Sequence, residues 1–307
     1  MLRRGGDSGR TRLCRITVRE EKMTRVSRKP LALVTAFAAL VLALPTEAIA
    51  AGQVSILVCY PSTAVKARDA KPALQDMAKV IEKLAGWKQG TIATSFTTDS
   101  KQCRGMLARQ KPGFVIASLA VYLDSLGKYD LEPVATPVVE GKSNDQYFLM
   151  VKKGTYTSLD QLKGKTLGGP WLGEPEFLKR VVFASRIDPV SFFELKPGRR
   201  ALRDLRKLKR GKLDAVLLNL PQYNSLKSLS FANQLEAIYR SEPLPQIGVM
   251  ANMAATDKPT IESMKGALLK LCSEPGGKKL CEMFGMDGFR EPDRKALRKV
   301  VELWKKG

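Results

Sequence analysis

Histidine is absent from this 307-residue chain, and aromatic residues make up only 7% of it. Without an imidazole there can be no Ser-His-Asp or Cys-His nucleophile pair, no histidine-ligated zinc or haem, and no histidine general base. An enzyme would have to rely on carboxylates, Lys, Tyr or Cys. The composition therefore argues against an enzyme, and we expect neither a metal ion nor a cofactor.

Acidic residues are also scarce relative to basic ones, 30 against 52, which gives a net charge of +22. The first 50 residues carry a net +6, which leaves +16 for residues 51–307. Such an excess fits either an anionic partner or a solvated, lysine-rich exterior. The basic residues are spread from Lys66 to Lys306, so we favour the exterior and expect no nucleic-acid partner.

Long apolar runs are lacking except for one, LALVTAFAALVLAL at 31–44. It is shorter than the roughly 20 residues of a membrane-spanning helix, and it follows the basic residues Arg25, Arg28 and Lys29. Together with the small residues that end at Ala51, it predicts a secretory signal peptide, with an uncleaved anchor as the alternative.

This leader sets the expected compartment and the ends of the mature chain. We expect a signal peptide over 23–50, cleavage near Ala50/Ala51, and a periplasmic or secreted protein. Residues 1–22 are polar and basic, and we interpret them as a non-native extension ahead of a start at Met23.

Four cysteines remain after the leader, an even number that suits an oxidising compartment. Cys272 and Cys281 are too far apart to bridge on one continuous helix, about 13.5 Å, but Pro275-Gly276-Gly277 between them should break it. We expect a Cys272–Cys281 disulfide and, on weaker grounds, Cys59–Cys103. Buried free thiols are the alternative.

The hydrophobic pattern alternates between strand-like and helix-like segments. Strands are predicted at 54–58, 91–96, 114–117, 132–139, 147–152, 166–169, 191–195, 213–218 and 247–250. Helices are predicted at 70–85, 100–110, 118–126, 174–186, 199–211, 259–272, 275–284 and 293–304. Such alternation predicts an α/β protein with two mostly parallel sheets, each flanked by helices, and a crevice at the strand ends.

Polar and aromatic residues follow several of these strands where a helix begins. Backbone N–H groups and hydroxyls at such positions suit a small polar ligand. Capping of the helix is the alternative role for any one of them. The candidate ligand-binding residues are Tyr60, Ser62, Thr63, Ser118, Trp171, Glu174 and Asn219.

Several stretches resemble the extracytoplasmic solute-binding proteins of ABC uptake systems, in particular the phosphate/phosphonate-binding (PhnD-like) branch of the type 2 periplasmic-binding fold. They include LVCYPS, GFVIASLAVYL, YFLMVKKGTYTSLDQLKGKTL, GRRALRDLRKLKRGKLDAVLLN and ALLKLCSEPGGKKLCEMFGMDGF. The resemblance covers nearly all of residues 53–290. It departs from the anion-binding branch in one turn, where GGPWLGEPE replaces a Ser/Thr-rich sequence.

The resemblance implies two lobes that close on a ligand, one of residues 51–140 with 245–307 and the other of 141–244. It implies a monomeric, non-enzymatic protein that captures a small polar solute, such as a phosphate or phosphonate, for an ABC permease and ATPase. A sensory module that presents its ligand to a receptor kinase is the alternative.

Overall fold

The computed structural model describes residues 52–60 and 67–307. The predicted signal peptide, the N-terminal extension, Ser62 and Thr63 lie outside these described residues. Within them, no helix combines the length and the apolar character needed to cross a membrane.

The described chain alternates strands and helices. Its strands are β1 Val54–Cys59, β2 Ile92–Thr97, β3 Phe114–Ile116, β4 Leu131–Val138, β5 Asn144–Asp145, β6 Tyr147–Lys152, β7 Thr166–Gly169, β8 Glu194–Pro197, β9 Ala215–Asn219, β10 Leu235–Arg240, β11 Leu244–Pro245, β12 Val249–Asn252 and β13 Gly288–Arg290. Its α-helices are α1 Ala67–Ala85, α2 Ser100–Gln110, α3 Leu119–Ser125, α4 Pro175–Phe177, α5 Pro189–Phe192, α6 Ala201–Lys209, α7 Leu220–Leu226, α8 Lys258–Lys270, α9 Pro275–Phe284 and α10 Arg294–Lys306.

The strands form two main sheets. The first has six strands in the order β13-β4-β12-β3-β1-β2, and the second has five in the order β10-β6-β9-β7-β8. A short antiparallel pair, β5 with β11, forms where the chain passes from one sheet to the other and back. The α/β architecture with two helix-flanked sheets agrees with the sequence prediction.

Both sheets are mixed, and most strands of each run in one direction, as the sequence predicted. In the first sheet β2, β1, β3 and β4 share a direction and β12 and β13 oppose it, and in the second β8, β7, β9 and β10 share a direction and β6 opposes it. The antiparallel pairs of β12 follow from the chain connectivity. A helical crossover keeps consecutive strands parallel, but β12 returns directly from the second sheet.

Two predicted elements differ locally from the structure. The helix predicted at 174–186 consists of the three-residue α4 and a π-helix at Leu178–Val182, ended at Phe183. The strand predicted at 191–195 is replaced by α5, because the Asp188 carboxylate accepts from Val190 N at 3.0 Å and Pro189 is the first helical residue. The strand β8 then follows.

Side chains alternate between the faces of each sheet and so build separate layers of core. In β1, Ile56 and Val58 pack with α1 and α8, whereas Leu57 and Cys59 belong to a cluster on the opposite face. That second cluster continues into β6, β7 and β9 of the other sheet. The two sheets therefore share one buried apolar layer, and further layers cover their outer faces.

Both disulfide pairs expected from the sequence are bonded. Cys59 at the end of β1 joins Cys103 in α2, and Cys272 joins Cys281 in α9, each with Cα atoms 5.7 Å apart. Pro275 ends the preceding turn and starts α9, so the helix break that the second pairing requires is present.

Candidate functional site

Four candidate residues follow parallel strands at their carboxyl ends. Tyr60 follows β1 and Ser118 follows β3 in the first sheet, while Trp171 follows β7 and Asn219 ends β9 in the second. The carboxyl edge of parallel strands is where open α/β sheets bind ligands. This placement gives the candidates the position that a ligand site requires.

The Asp145 carboxylate is the polar centre around which several of these residues gather. Its Oδ1 accepts from the backbone N–H groups of Gln146 at 2.8 Å and Leu220 at 2.9 Å, and its Oδ2 accepts from Asn219 Nδ2 at 3.1 Å. Asn219 also caps α7, since its Oδ1 accepts from Gln222 N at 3.3 Å. Asn219 therefore fills the capping role and orients the carboxylate at the same time.

Aromatic rings cover one side of this centre. The buried Tyr147 ring meets Trp171 edge to face, with centroids 5.5 Å apart, and Phe177 at 5.7 Å. The half-buried Trp171 indole N–H points to Gln222 Oε1 at 3.4 Å. The turn after β7 is thus joined to the first turn of α7 beside Asn219.

Tyr60 brings the first sheet to the same group. Desolvation of the phenol group and the nearby Asp145 carboxylate raise the pKa of Tyr60, while the residue taken as a whole is 53% exposed. Desolvation, Asp145 and Tyr60 raise the pKa of Tyr147 well above its usual value. Both phenols are therefore neutral hydrogen-bond donors at physiological pH.

Asp145 itself lies in a desolvated position. Desolvation raises the pKa of Asp145, and its hydrogen bonds from Leu220, Gln146 and Asn219 only partly offset that effect. Because Oδ2 receives one hydrogen bond from the described residues, it keeps capacity to accept another. A ligand N–H or O–H is the group that this atom can take.

Glu174 contacts a different part of the molecule. Its side chain is only 6% exposed, and it pairs with Arg104 Nη2 at 3.0 Å and accepts a hydrogen bond from Ser100 Oγ, both in α2. Arg104 also binds Asp124 Oδ2 at 2.5 Å. Glu174 therefore links the turn after β7 in the second sheet to a helix that packs on the first.

Ser118 acts as the N-cap of α3. Its Oγ accepts from Val121 N at 3.5 Å, and the preceding Ala117 N donates to Gly248 O at 3.1 Å. The structure thus places Asn219 in contact with Asp145, Tyr60 close enough for Asp145 to raise its pKa, and Trp171 against Tyr147 and Gln222. It places Glu174 against α2 and gives Ser118 a cap bond. It describes nothing for Ser62 and Thr63.

Asp145, Tyr147, Ser100 and Arg104 are not among the residues predicted from the sequence. Asp145 stands in a polar connection before a strand, whereas the predicted candidates lie in turns that follow strands. Arg104 lies within α2, where a basic residue carries no distinguishing pattern. The described residues contain no group of three or more Cys, Asp or Glu side chains placed to hold a metal ion.

A comparison with protein families finds one that matches residues 71–297, described as ABC transporter, phosphonate, periplasmic substrate-binding protein. The chain belongs to this family. Its members are the substrate-binding components of uptake systems, which work with a permease and an ATPase and are not enzymes. This assignment favours transport over the sensory alternative. No curated protein matches the chain.

Solved structures agree on the fold. The XAC2383 protein of Xanthomonas citri, bound to ATP, is 17% identical, with a TM-score of 0.65 over 83% of this chain and 98% of its own. The PA3383 binding protein of an ABC phosphonate transporter from Pseudomonas aeruginosa is 17% identical, with a TM-score of 0.62 over 83% and 87%. PhnD1 from Prochlorococcus marinus, in complex with methylphosphonate, is 13% identical, with a TM-score of 0.61 over 82% and 97%.

These similarities identify the type 2 periplasmic-binding fold that the sequence motifs indicated. At 13–17% identity they say nothing about which residues of this chain bind a ligand.

Proposed function

We propose that this protein binds its transported solute beside Asp145, between the carboxyl ends of β1 and β3 and those of β7 and β9. Tyr60 would reach the solute from the first sheet, and Trp171 and Asn219 from the second. The observation that carries the proposal is the hydrogen bond from Asn219 Nδ2 to the desolvated Asp145 carboxylate, with Trp171 packed on the adjacent Tyr147. Desolvation and Asp145 also raise the pKa of Tyr60, which supports a place for Tyr60 beside this group. Contact with residues from both sheets would favour the closed form.

The proposed solute is a small polar molecule, and phosphonates are the first class to test because of the family. Asp145 already takes the hydrogen bonds of Leu220 N and Asn219 Nδ2, donors that a bare anion would need. Phosphate and phosphonates both carry a P–OH that could donate to Asp145 Oδ2, but only an amino group beside the anionic group would also offset the carboxylate charge. We therefore expect an aminoalkylphosphonate to bind more tightly than inorganic phosphate or methylphosphonate.

A thermal-shift screen tests this proposal. Inorganic phosphate, methylphosphonate, an aminoalkylphosphonate, an amino acid, a polyamine and a sulfonate serve as probes. A ligand present at a hundred times its dissociation constant stabilises the protein by about 2.7 kcal/mol, which is readily detected. Stabilisation by phosphate and every phosphonate to the same extent would contradict a role for Asp145 in selection.

The finer organisation is proposed as well. We infer an exported monomer cleaved near Ala50/Ala51, with lobes of residues 51–140 plus 245–307 and of residues 141–244. The strands of the two sheets fall within these limits, which supports the division. Amino-terminal sequencing of the periplasmic protein and light scattering of the purified protein test the cleavage site and the monomer.

A further inference from the structure

The second sheet carries a concentrated basic surface that ligand binding does not use. Residues 199–212 contain eight Lys or Arg and one acidic residue, a net +7 out of the +16 carried by residues 51–307. Seven of these eight basic residues are exposed, and we name the six in and directly beside α6 the basic ridge: Arg199, Arg200, Arg203, Arg206, Lys209 and Arg210.

The ridge is not neutralised by the residues around it. Asp204, the acidic residue of this segment, is 1% exposed and pairs with Lys207 at 2.8 Å, outside the ridge. None of the six ridge residues has a carboxylate of a described residue within 4.0 Å. Elsewhere Arg104, Arg180 and Lys265 each have such a partner.

The fold holds the ridge in a fixed orientation. Leu205 and Leu208 are buried in the core of the second sheet, so the opposite side of α6 faces outward. Arg203, Arg206 and Arg210 are spaced three and four residues apart and therefore project along that outer side. At its edge Leu202 is 40% exposed, beside a shallow groove of about 410 Å³ between α6 and α7.

We propose that the basic ridge docks the protein on an anionic phospholipid surface. Each Lys or Arg near such a surface contributes about 1 kcal/mol, and guanidinium groups bind phosphate through two hydrogen bonds. A ridge of a single charge sign fits a diffuse layer of headgroups. A protein partner would instead have to present complementary carboxylates at fixed positions opposite the ridge. Docking would keep the protein beside its membrane permease.

Vesicle flotation tests this proposal with protein purified from the periplasm. The vesicles contain phosphatidylcholine alone or with 30% phosphatidylglycerol, at about 50 mM and about 500 mM salt. We expect binding only to the anionic vesicles, with release at high salt because the Debye length falls from roughly 14 Å to a few ångströms.

A charge-matched pair of variants locates the surface. Arg203→Gln/Arg206→Gln/Arg210→Gln should weaken binding to anionic vesicles at least ten-fold. Lys295→Gln/Arg298→Gln/Lys299→Gln removes the same charge from exposed positions of α10 and should retain binding within about two-fold. Circular dichroism and melting temperature check that both variants fold.

Three results would overturn the proposal. They are an equal loss in both variants, binding to neutral vesicles, and retention on an acidic polypeptide column without binding to anionic vesicles. The first would indicate that net charge alone drives binding to the vesicles, and the third would indicate that the ridge binds a protein partner. None of these results depends on the solute that the protein transports.

Discussion

Glu174 shows how a single side chain can hold two parts of a chain together. It is buried, yet its carboxylate is matched by the Arg104 guanidinium and the Ser100 hydroxyl, which come from a helix about 70 residues away in sequence. Removing one partner of a buried pair leaves the other without compensation. Arg104 is 46% exposed and also has Asp124, which limits that cost.

We therefore expect Glu174→Gln to lower the free energy of unfolding by about 1–2 kcal/mol. Glu176→Gln is the matched control, because Glu176 is 57% exposed and pairs with Arg180 four residues along the chain; its change should stay below about 0.5 kcal/mol. Urea denaturation of the three proteins gives both values. Equal changes for the two variants would contradict the structural role of Glu174.

The pKa of Asp145 is expected to lie above that of an ordinary aspartate, and the pKa of Asp257 below it. Desolvation raises the pKa of Asp145, whereas the hydrogen bond from Thr260 N at 2.7 Å lowers that of Asp257. Asp145 thus contributes stability that is present below the unfolded pKa and lost as pH rises through its folded pKa. For Asp257 the contribution is present above the unfolded pKa and lost as pH falls through its folded pKa.

Carboxyl carbon NMR measures both midpoints in one titration. The Asp145 midpoint should lie above, and the Asp257 midpoint below, the value of about 3.9 for an aspartate in a peptide. An Asp145 midpoint at or below that of Asp257 would show that the carboxylate is better solvated than the structure indicates.

At the scale of elements, two glycines in adjacent helices have opposite surroundings. A Cβ on Gly277 would lie 1.8 Å from the Leu271 carbonyl oxygen, so only glycine allows α9 to begin this close to the preceding turn. A Cβ on Gly266 in α8 would meet no atom within 4 Å.

Gly277→Ala should therefore destabilise the protein by about 1–3 kcal/mol through overpacking. Gly266→Ala should stabilise it by about 0.5–1 kcal/mol, since alanine loses less backbone freedom in a helix. Thermal unfolding of the two variants tests the contrast. A gain in stability from both substitutions would mean that α9 can move away from Leu271 at little cost.

The two disulfides should differ in the stability that they provide. Cys59–Cys103 closes a loop of 44 residues and Cys272–Cys281 one of 9. Loop entropy then gives about 4 kcal/mol for the first and about 3 kcal/mol for the second. Replacing each pair by alanine and comparing urea unfolding measures the order, and a larger loss from the Cys272/Cys281 variant would contradict it.

The sequence predicted most elements because their signals are local. The helix predicted at 100–110 forms α2 behind the cap Asp99, the one predicted at 275–284 forms α9 from Pro275, and the apolar run at 147–152 forms β6. The direction of β12 could not be predicted in this way, because it depends on how the chain returns from the second sheet. The irregular turn at Leu178–Val182 likewise lies within an ordinary helical pattern.

For the molecule as a whole, the candidate site residues were chosen by their place after strands, whereas their neighbours depend on tertiary contacts. Among these candidates Asn219 donates to Asp145, Trp171 packs against Tyr147, and desolvation and Asp145 raise the pKa of Tyr60. Asp145 is placed at this position by the pairing of β5 with β11 between the sheets, and no local sequence pattern predicts that pairing. Hydrogen bonds between residues 74 and 75 positions apart leave no local pattern in a sequence.

The central claim is that a solute is held beside Asp145 and is touched by Tyr60. Calorimetric titration with the solute identified by screening tests this claim directly, using the parent protein, Tyr60→Ala and Phe284→Ala. Tyr60 and Phe284 are similarly exposed, at 53% and 46%, so neither truncation should unfold the protein. We predict one site per chain, weakened at least ten-fold by Tyr60→Ala and unchanged by Phe284→Ala. Full affinity in Tyr60→Ala would contradict the proposed site.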